Sequence, residues 1–318
     1  MRILLIGAGR IAGEYVKALQ ARGPVEIDIL SRTEASAAGL RQRHGLAQAF
    51  WGGQDRLASL DLSYDGYIVA TPIETLLPYL VQLTRQGARR ILVEKPVCLS
   101  SAELRAFLHA HPQATAMAAL NRLYYPSVQA LADRLAVEPA TSASFSFGEM
   151  LPRIEAANLA PPVLARLGLA NSIHVIATVF SLIGLPRLLH PLVSGQGRID
   201  WHPSGAVFAG AGSTESGICF TYLADWLSAG RWSMTVRTGR GVYMLEPVET
   251  LSFQPLAGGP AEMLVPPVSD GLKCGFPQML EAWLAADAPD AKASLYSLLA
   301  YLEAIEAMMG YRGDGVAR

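Results

Sequence analysis

The sequence predicts an α/β fold in two parts: a doubly wound parallel sheet first, then an α+β domain built on a largely antiparallel sheet. Three observations carry this reading. A short apolar run at the N-terminus ends in a glycine turn. Strands and helices then alternate as far as Asn121. Beyond Asn121, strand-like stretches follow one another without helices between them. Alternation is the mark of parallel βαβ units, and uninterrupted strands are the mark of an antiparallel sheet.

The elements follow in order. Arg2 to Ile6 is apolar and stops at Gly7, as a buried parallel strand does. Ile11 to Ala21 has helical spacing, and Val25 to Leu30 is a second strand. Ala35 to His44 is helical with Gly45 as its stop signal. Gly66 to Ala70 is a strand ending at Thr71-Pro72, followed by a helix from Thr75 to Gln86 closed by Gly87. Arg90 to Val93 is a strand ending at Glu94-Lys95-Pro96. Ser100 to Ala110 is a helix whose Ser100 or Ser101 caps it and whose Glu103 is placed for a capping box. Ala114 to Leu120 is a further short strand.

Past Asn121 the pattern predicts helices over Pro126 to Leu135 and Asn171 to Ile183, with a half-buried strand at Thr141 to Phe147. Strands follow at Ala206 to Gly210, Gly217 to Leu223, Arg231 to Arg237, Gly241 to Leu245 and Thr250 to Gln254. Phe276 to Ala285 and Ser294 to Met309 are closing helices. The expected domains are 1–121 for nucleotide binding and 122–318 for substrate binding and oligomerisation, with the closing helices able to pack back on the first.

Composition narrows the function classes. The chain has 318 residues, 51% hydrophobic and 17% charged, with a formal net charge of −1, so no basic excess points to nucleic acid or to an anionic membrane. Its three cysteines, Cys98, Cys219 and Cys274, form no C-x-x-C pair and no disulfide framework, which fits a reduced cytoplasmic setting. The N-terminal apolar run is strand length and is not read as a signal peptide. The most apolar stretch, Ile173 to Leu185, carries His174 and is too short to span a bilayer. The remaining histidines show no metal-ligand spacing, so no metal is expected.

The strongest motif is Gly7-Ala8-Gly9-Arg10-Ile11-Ala12, a G-x-G-x-x-A between a strand and a helix. Gly7 permits the tight turn, Gly9 lets backbone approach a pyrophosphate, and Ala12 keeps helix and strand close. The helix N-terminus at Arg10 and Ile11 offers unpaired N–H groups to phosphate. This context predicts a bound nicotinamide dinucleotide. The next strand ends in Ser31-Arg32-Thr33, where NAD-binding domains usually carry an acidic residue for the ribose 2′-hydroxyl. A guanidinium and hydroxyls suit a 2′-phosphate, so NADP(H) is favoured, with NAD(H) the alternative. Asp28 is the competing ribose ligand, but it precedes the strand tip.

Ligands of open parallel sheets bind outside the carboxyl ends of the strands, which places Thr71, Pro72, Glu94 and Lys95 at the cofactor crevice. A lysine in a partly desolvated cleft can exchange a proton with a substrate hydroxyl. The competing reading of Lys95 is a solvated surface charge.

The combination of Gly7-x-Gly9-x-x-Ala12, Thr71-Pro72, Glu94-Lys95-Pro96, and Asn121-Arg122 followed by Tyr124-Tyr125-Pro126 resembles the Gfo/Idh/MocA family of glucose–fructose oxidoreductases and inositol dehydrogenases. The resemblance covers essentially the whole chain and is most specific from Val93 to Pro96. It implies oxidation or reduction of carbonyl and hydroxyl groups on sugars, cyclitols and related compounds, with Lys95 near nicotinamide and substrate. It also implies a helix histidine in the second domain, matched by His174 in Asn171-Ser172-Ile173-His174, as a second proton-transfer group. Asn171 and Ser172 are then candidate substrate contacts. Asn121 is a candidate for the cofactor amide or ribose, and Arg122, Tyr124 and Tyr125 for a polar substrate. Their alternative is an interdomain hinge with ordinary packing, as that of His174 is a packed helix histidine. The resemblance further implies a dimer or tetramer formed through the C-terminal sheet, where the segment Asp225-Trp226 to Arg231-Trp232 is a candidate sheet face or subunit contact.

Two positions depart from the family. Ala177 replaces a frequent Asp three residues after the histidine, and Leu76 replaces a histidine that often follows the T-P pair. The first removes a carboxylate that tunes the histidine or contacts substrate. Two other readings therefore stand beside sugar chemistry: reduction of an imine or non-sugar carbonyl, and a non-catalytic dinucleotide-binding sensor. Retention of Lys95 and His174 argues against the sensor.

Overall fold

A computed structural model describes residues 1–285 and 288–311. The chain divides into two compact units. The first takes Met1–Cys98, Ala102–Asn121 and Ser269–Leu298, and the second takes Leu99–Ser101, Arg122–Val268 and the chain from Leu299.

The alternating pattern of the N-terminal part yields strands β1 (Arg2–Ile6), β2 (Glu26–Ser31), β3 (Ala49–Trp51), β4 (Gly66–Val69), β5 (Ile91–Val93) and β6 (Ala116–Ala118). Between them run helices α1 (Arg10–Ala21), α2 (Glu34–His44), α3 (Gly53–Ala58), α4 (Ile73–Arg85) and α5 (Ser101–Ala110). The strands lie in the order β3-β2-β1-β4-β5-β6, all parallel. Ile3, Leu4, Leu5 and Ile6 are all fully buried, so both faces of the central strand are covered. The strand order reverses at β1, and the crevice such a reversal creates opens at the carboxyl ends of β1 and β4.

In the second unit helix α6 (Pro126–Val137) precedes β7 (Ala140–Phe147). Two short helices, α7 (Leu151–Ala156) and α8 (Pro161–Ala165), lead to a π-helical turn at Gly168–Ser172 and then to α9 (Ile173–Ile183). Seven strands follow: β8 (Pro186–Ser194), β9 (Val207–Thr214), β10 (Cys219–Asp225), β11 (Trp232–Thr238), β12 (Gly241–Leu245), β13 (Leu251–Pro255) and β14 (Glu262–Val265). With β7 they form an eight-stranded sheet, β14-β13-β12-β11-β7-β10-β9-β8. All its pairings are antiparallel except β7 with β10. One face buries Phe145, Phe147, Phe208, Phe220 and Tyr222, with Phe145 and Phe220 in ring contact with Phe180 of α9. The opposite face carries Ser142, Ser144, Ser146, Ala209, Ala211, Thr221 and Thr235, together with the exposed Leu188, Leu192 and Leu223.

Helix α10 (Phe276–Ala285) belongs to the first unit, and α11 (Leu295–Met309) passes from the first unit's share of the chain into the second's. Phe276 packs on Tyr15 of α1, ring centroids 4.8 Å apart. Gly66 leaves room for Trp283, whose ring would stand 2.8 Å from a Cβ there. Arg90 caps the end of α10 by donating to the carbonyls of Trp283 and Leu284, at 3.1 and 2.8 Å.

Most strands and helices named from the pattern form, with ends shifted by a few residues. Four kinds of difference have physical causes. The three-residue β3 and six-residue α3 are too short to show a period. Strand β8 contains Pro186 and Pro191 and is tolerated because it lies at the sheet edge. Strand β14, at the other edge, is four residues long and partly exposed. The helix expected from Asn171 starts instead at Ile173, because the preceding turn widens to π geometry around Gly168. A Cβ at Gly168 would collide with the Met309 sulfur, and its N–H donates to the Tyr311 hydroxyl at 2.9 Å.

Candidate active site

The glycine turn closes β1 at the crevice. Gly7 has φ +116°, and a Cβ there would lie 2.2 Å from the Ala70 carbonyl oxygen, so only glycine fits. A Cβ at Gly9 would meet nothing within 4 Å: the space beside it is open. Gly9 is also the N-cap of α1 and supplies no side chain to its N–H groups; the first turn, with Arg10 and Ile11, holds no acidic residue. Ala12 is fully buried. Thr71, beyond β4, has a buried Oγ1 without a partner among the described residues. Open space, uncapped N–H groups and a waiting hydroxyl fit a dinucleotide pyrophosphate.

At the end of β2 the polar side chains divide. The Ser31 hydroxyl donates to the Thr33 carbonyl at 2.8 Å, and Thr33 caps α2 by accepting from Ser36 N. Their hydroxyl protons are engaged in the turn, since Thr33 Oγ1 donates to Ser36 Oγ. Arg32 is exposed and makes no ion pair among the described residues. Asp28 is fully buried and held by Arg2 (2.7 Å), Tyr64 (2.8 Å) and the Gln48 N–H (3.1 Å). Of the residues considered for the ribose, only Arg32 is available.

Glu94 and Lys95 follow β5. The Tyr15 hydroxyl donates to Glu94 Oε1 at 2.7 Å. Burial pushes the Glu94 carboxyl up; Lys95, the Tyr15 hydrogen bond and Lys273 pull it down. Lys273 stands with its Nζ 5.6 Å from the Phe276 ring centroid. The chain after Pro96 is strained: Val97, β-branched and buried, has φ +72°. Such strain persists where surroundings over-determine it, commonly at functional turns. Asn121 is buried and its Nδ2 donates to the Cys274 carbonyl at 3.0 Å, leaving Oδ1 as its polar group for a ligand.

The second unit holds the remaining candidates, with Tyr124 buried. His174 is buried on α9, its ring centroid 6.0 Å from that of Trp232. The Arg122 guanidinium lies 4.5 Å from the Trp232 ring centroid and 5.8 Å from that of Tyr125, which is also buried. Asn171 Nδ2 and Ser172 Oγ each donate to Glu149 at 2.7 Å, and Ser172 is fully buried. Sequence reasoning missed Tyr15, Lys273 and Glu149, because each reaches its partners from a distant segment. It left Trp232 in a sheet or subunit contact, where the structure sets it against Arg122 and His174. Among the described residues no three His, Cys, Asp or Glu side chains cluster as a metal site, and no helix is long and apolar enough to cross a membrane.

Residues 1–122 match the family described as "Oxidoreductase family, NAD-binding Rossmann fold" (GFO_IDH_MocA). The fold of this chain is shared with an oxidoreductase from Agrobacterium radiobacter in complex with NAD+, L-tartaric acid and magnesium, at TM-score 0.81 and 14% identity over 98% of this chain and 95% of that one. It is shared with levoglucosan dehydrogenase in complex with NADH and L-sorbose, at TM-score 0.78 and 15% identity over 98% and 96%. It is shared also with UDP-N-acetylglucosamine 3-dehydrogenase from Acidithiobacillus ferrooxidans, at TM-score 0.75 and 15% identity over 97% and 96%. A stretch of 62 residues is 47% identical to glutamyl-tRNA reductase of Roseiflexus sp. (strain RS-1), covering 19% of this chain and only 15% of that enzyme.

Proposed function

We propose that this chain is an NAD(P)-dependent oxidoreductase acting on a carbonyl or hydroxyl carbon of a sugar, nucleotide sugar or related polyol. The dinucleotide, when bound, supplies or takes the hydride at nicotinamide C4. Gly7, Gly9, Arg10, Ile11 and Ala12 form the turn that receives the pyrophosphate, and Thr71 and Pro72 line the same crevice. The observation that carries the reading is the Glu94-Lys95 pair at the carboxyl end of β5, with a half-buried carboxyl among Tyr15, Lys95 and Lys273. Lys95 exchanges the proton of the reacting oxygen, and His174 is the second proton-transfer group. Arg122 and Asn171 are the polar groups that meet substrate hydroxyls, because Ser172, Tyr124 and Tyr125 are buried. Polyol-acting dehydrogenases among the proteins of the same fold support the substrate class.

Arg32 supports a preference for NADP(H) over NAD(H), since a lone exposed guanidinium suits a 2′-phosphate and Asp28 is already held by three partners. The sheet face of Ser142, Ser144, Ser146, Ala209 and Ala211, crossed by Arg237 and flanked by exposed leucines, supports a homo-oligomer joined through that sheet. The absent carboxylate at Ala177 favours a second reading, reduction of an imine or non-sugar carbonyl.

The test is turnover of levoglucosan, myo-inositol, D-glucose and UDP-N-acetylglucosamine with each dinucleotide, followed by nicotinamide absorbance. Turnover of one of them, reduced at least ~100-fold in Lys95→Ala with cofactor affinity retained, is the expected result. Failure on all four, with turnover of an imine or simple ketone, overturns the sugar reading.

A further inference from the structure

Glu149 sits just past β7, only 4% exposed, and belongs to no motif of the sequence. Two donors converge on its two oxygens: Asn171 Nδ2 on Oε2 and Ser172 Oγ on Oε1, both at 2.7 Å. An ionised carboxylate only accepts hydrogen bonds. The orientation of a side-chain amide is ordinarily inferred from its surroundings, since nitrogen and oxygen look alike. With Glu149 ionised, the Asn171 NH2 faces it, Nδ2 to Oε2, and its carbonyl Oδ1 faces the other way. Asn171 is half-buried, and its Oδ1 receives no protein donor among the described residues. Ser172 is fully buried and its proton is committed to Glu149, so it has no donor left for a ligand. Asn171 stands three positions before His174, on the turn that leads into α9.

We infer that Glu149 is a positioning residue that fixes Asn171 as a hydrogen-bond acceptor toward the substrate, so that this position selects a ligand group that donates, a hydroxyl rather than an ether or a carbonyl oxygen. This rests on the reading of Asn171 as a substrate contact. It also gives the site a buried carboxylate from another element, although Ala177 carries none. A site built around one hydrogen-bonding sense rejects the opposite sense strongly, because the mismatched group is left unpaired.

The chain contains only three asparagines, Asn121, Asn158 and Asn171. Selective 15N-asparagine labelling of the full-length protein therefore gives three side-chain NH2 signals, and that of Asn171 is identified by its loss in Asn171→Asp. In the wild type its protons exchange slowly, being buried against Glu149. In Glu149→Gln the Asn171 signal shifts and exchanges at least tenfold faster, because glutamine offers one acceptor to two donors. The Asn121 signal, held by Cys274, stays in place and reports an intact fold in the first unit. An unmoved Asn171 signal in Glu149→Gln overturns the inference.

The second arm uses whichever of levoglucosan, myo-inositol, D-glucose or UDP-N-acetylglucosamine is turned over, together with its mono-O-methyl ethers. Glu149→Gln should raise KM at least tenfold with little change in kcat and with unchanged NAD(P)H affinity. It should also shrink the wild-type discrimination between hydroxyl and methyl ether at one position. A moved NMR signal with unchanged KM and unchanged discrimination overturns the specificity role. If no polyol is turned over, the sugar reading fails, and the NMR spectrum alone decides whether Glu149 orients Asn171.

Discussion

The Tyr15 hydroxyl donates a 2.7 Å hydrogen bond to Glu94 Oε1, joining the first helix of the chain to the end of the fifth strand. Tyr15 is fully buried and Glu94 half-buried, and burial pushes the tyrosine pKa well up. Tyr15→Phe keeps the ring contact with Phe276 and deletes only the donor. It should cost about 2 kcal/mol in urea unfolding, the range of hydrogen bonds to charged groups. A loss below about 0.5 kcal/mol would show that solvent replaces the hydroxyl.

Glu94 also sets a pH dependence. Its folded pKa is raised, by burial first, above the unfolded value of about 4.3. The folded state therefore binds more protons than the unfolded state between those two values. The contribution of Glu94 to stability is full below the unfolded pKa and is lost as pH rises through the folded pKa. Glu94→Gln should flatten that part of the stability–pH curve, read from chemical unfolding at a series of pH values. An unchanged slope would mean that the two lysines offset burial completely.

Gly7 and Gly9 should respond in opposite ways to alanine. At Gly7 the new Cβ meets the Ala70 carbonyl oxygen and the backbone has φ +116°, so Gly7→Ala should lose about 3 kcal/mol or more of stability. At Gly9 the Cβ enters open space, so the melting temperature should hold. Dinucleotide affinity, measured by fluorescence titration, should nevertheless fall about tenfold, equivalent to about 1.4 kcal/mol. Full affinity in Gly9→Ala would place the pyrophosphate elsewhere.

Arg32→Ala separates the two cofactors. NADPH should bind about tenfold more weakly and NADH within about twofold of wild type, because only the 2′-phosphate loses a partner. Wild-type protein that already binds NADH more tightly than NADPH would remove the NADP(H) preference.

His202 in the second unit predicts acid sensitivity. Its Nδ1 bonds the Gly205 carbonyl and its Nε2 the Tyr311 hydroxyl, both at 2.7 Å. Burial lowers its pKa, Arg166 lowers it further, and the Gly205 bond opposes them. A depressed histidine contributes stability that is present above the unfolded pKa of about 6.5 and lost as pH falls through the folded pKa. Thermal unfolding should therefore move to lower temperature as pH drops below about 6.5, with a shallower slope in His202→Gln. Equal slopes would assign the acid sensitivity to other groups.

The parallel half was legible because its signals are local: β1 runs into Gly7, and Glu94-Lys95-Pro96 marks the end of β5. What stayed hidden depends on distant pairs. Nothing near Glu149 announces that it will receive Asn171 and Ser172, and nothing near Lys273 announces Glu94. Strand β8 was hidden for a different reason: its prolines read as breakers until the edge position excuses them. Ser31 and Thr33 were read as phosphate donors because periodicity shows that they stand at a strand tip, but not that their protons are already bonded.

The return of α10 to the nucleotide unit has a consequence for how the protein is made. The Cys274 carbonyl that receives Asn121 lies 153 positions further along the chain. Phe276 and Trp283, which cover Tyr15 and Gly66, come later still. Translation proceeds from the N-terminus, so a nascent nucleotide unit emerges with those surfaces bare and waits for residues Arg122–Val268 of the second unit to be synthesised. A gene cut after Asn121 would therefore release all six strands of the first sheet without the helix that covers Tyr15 and Gly66, and such a bare apolar surface favours aggregation.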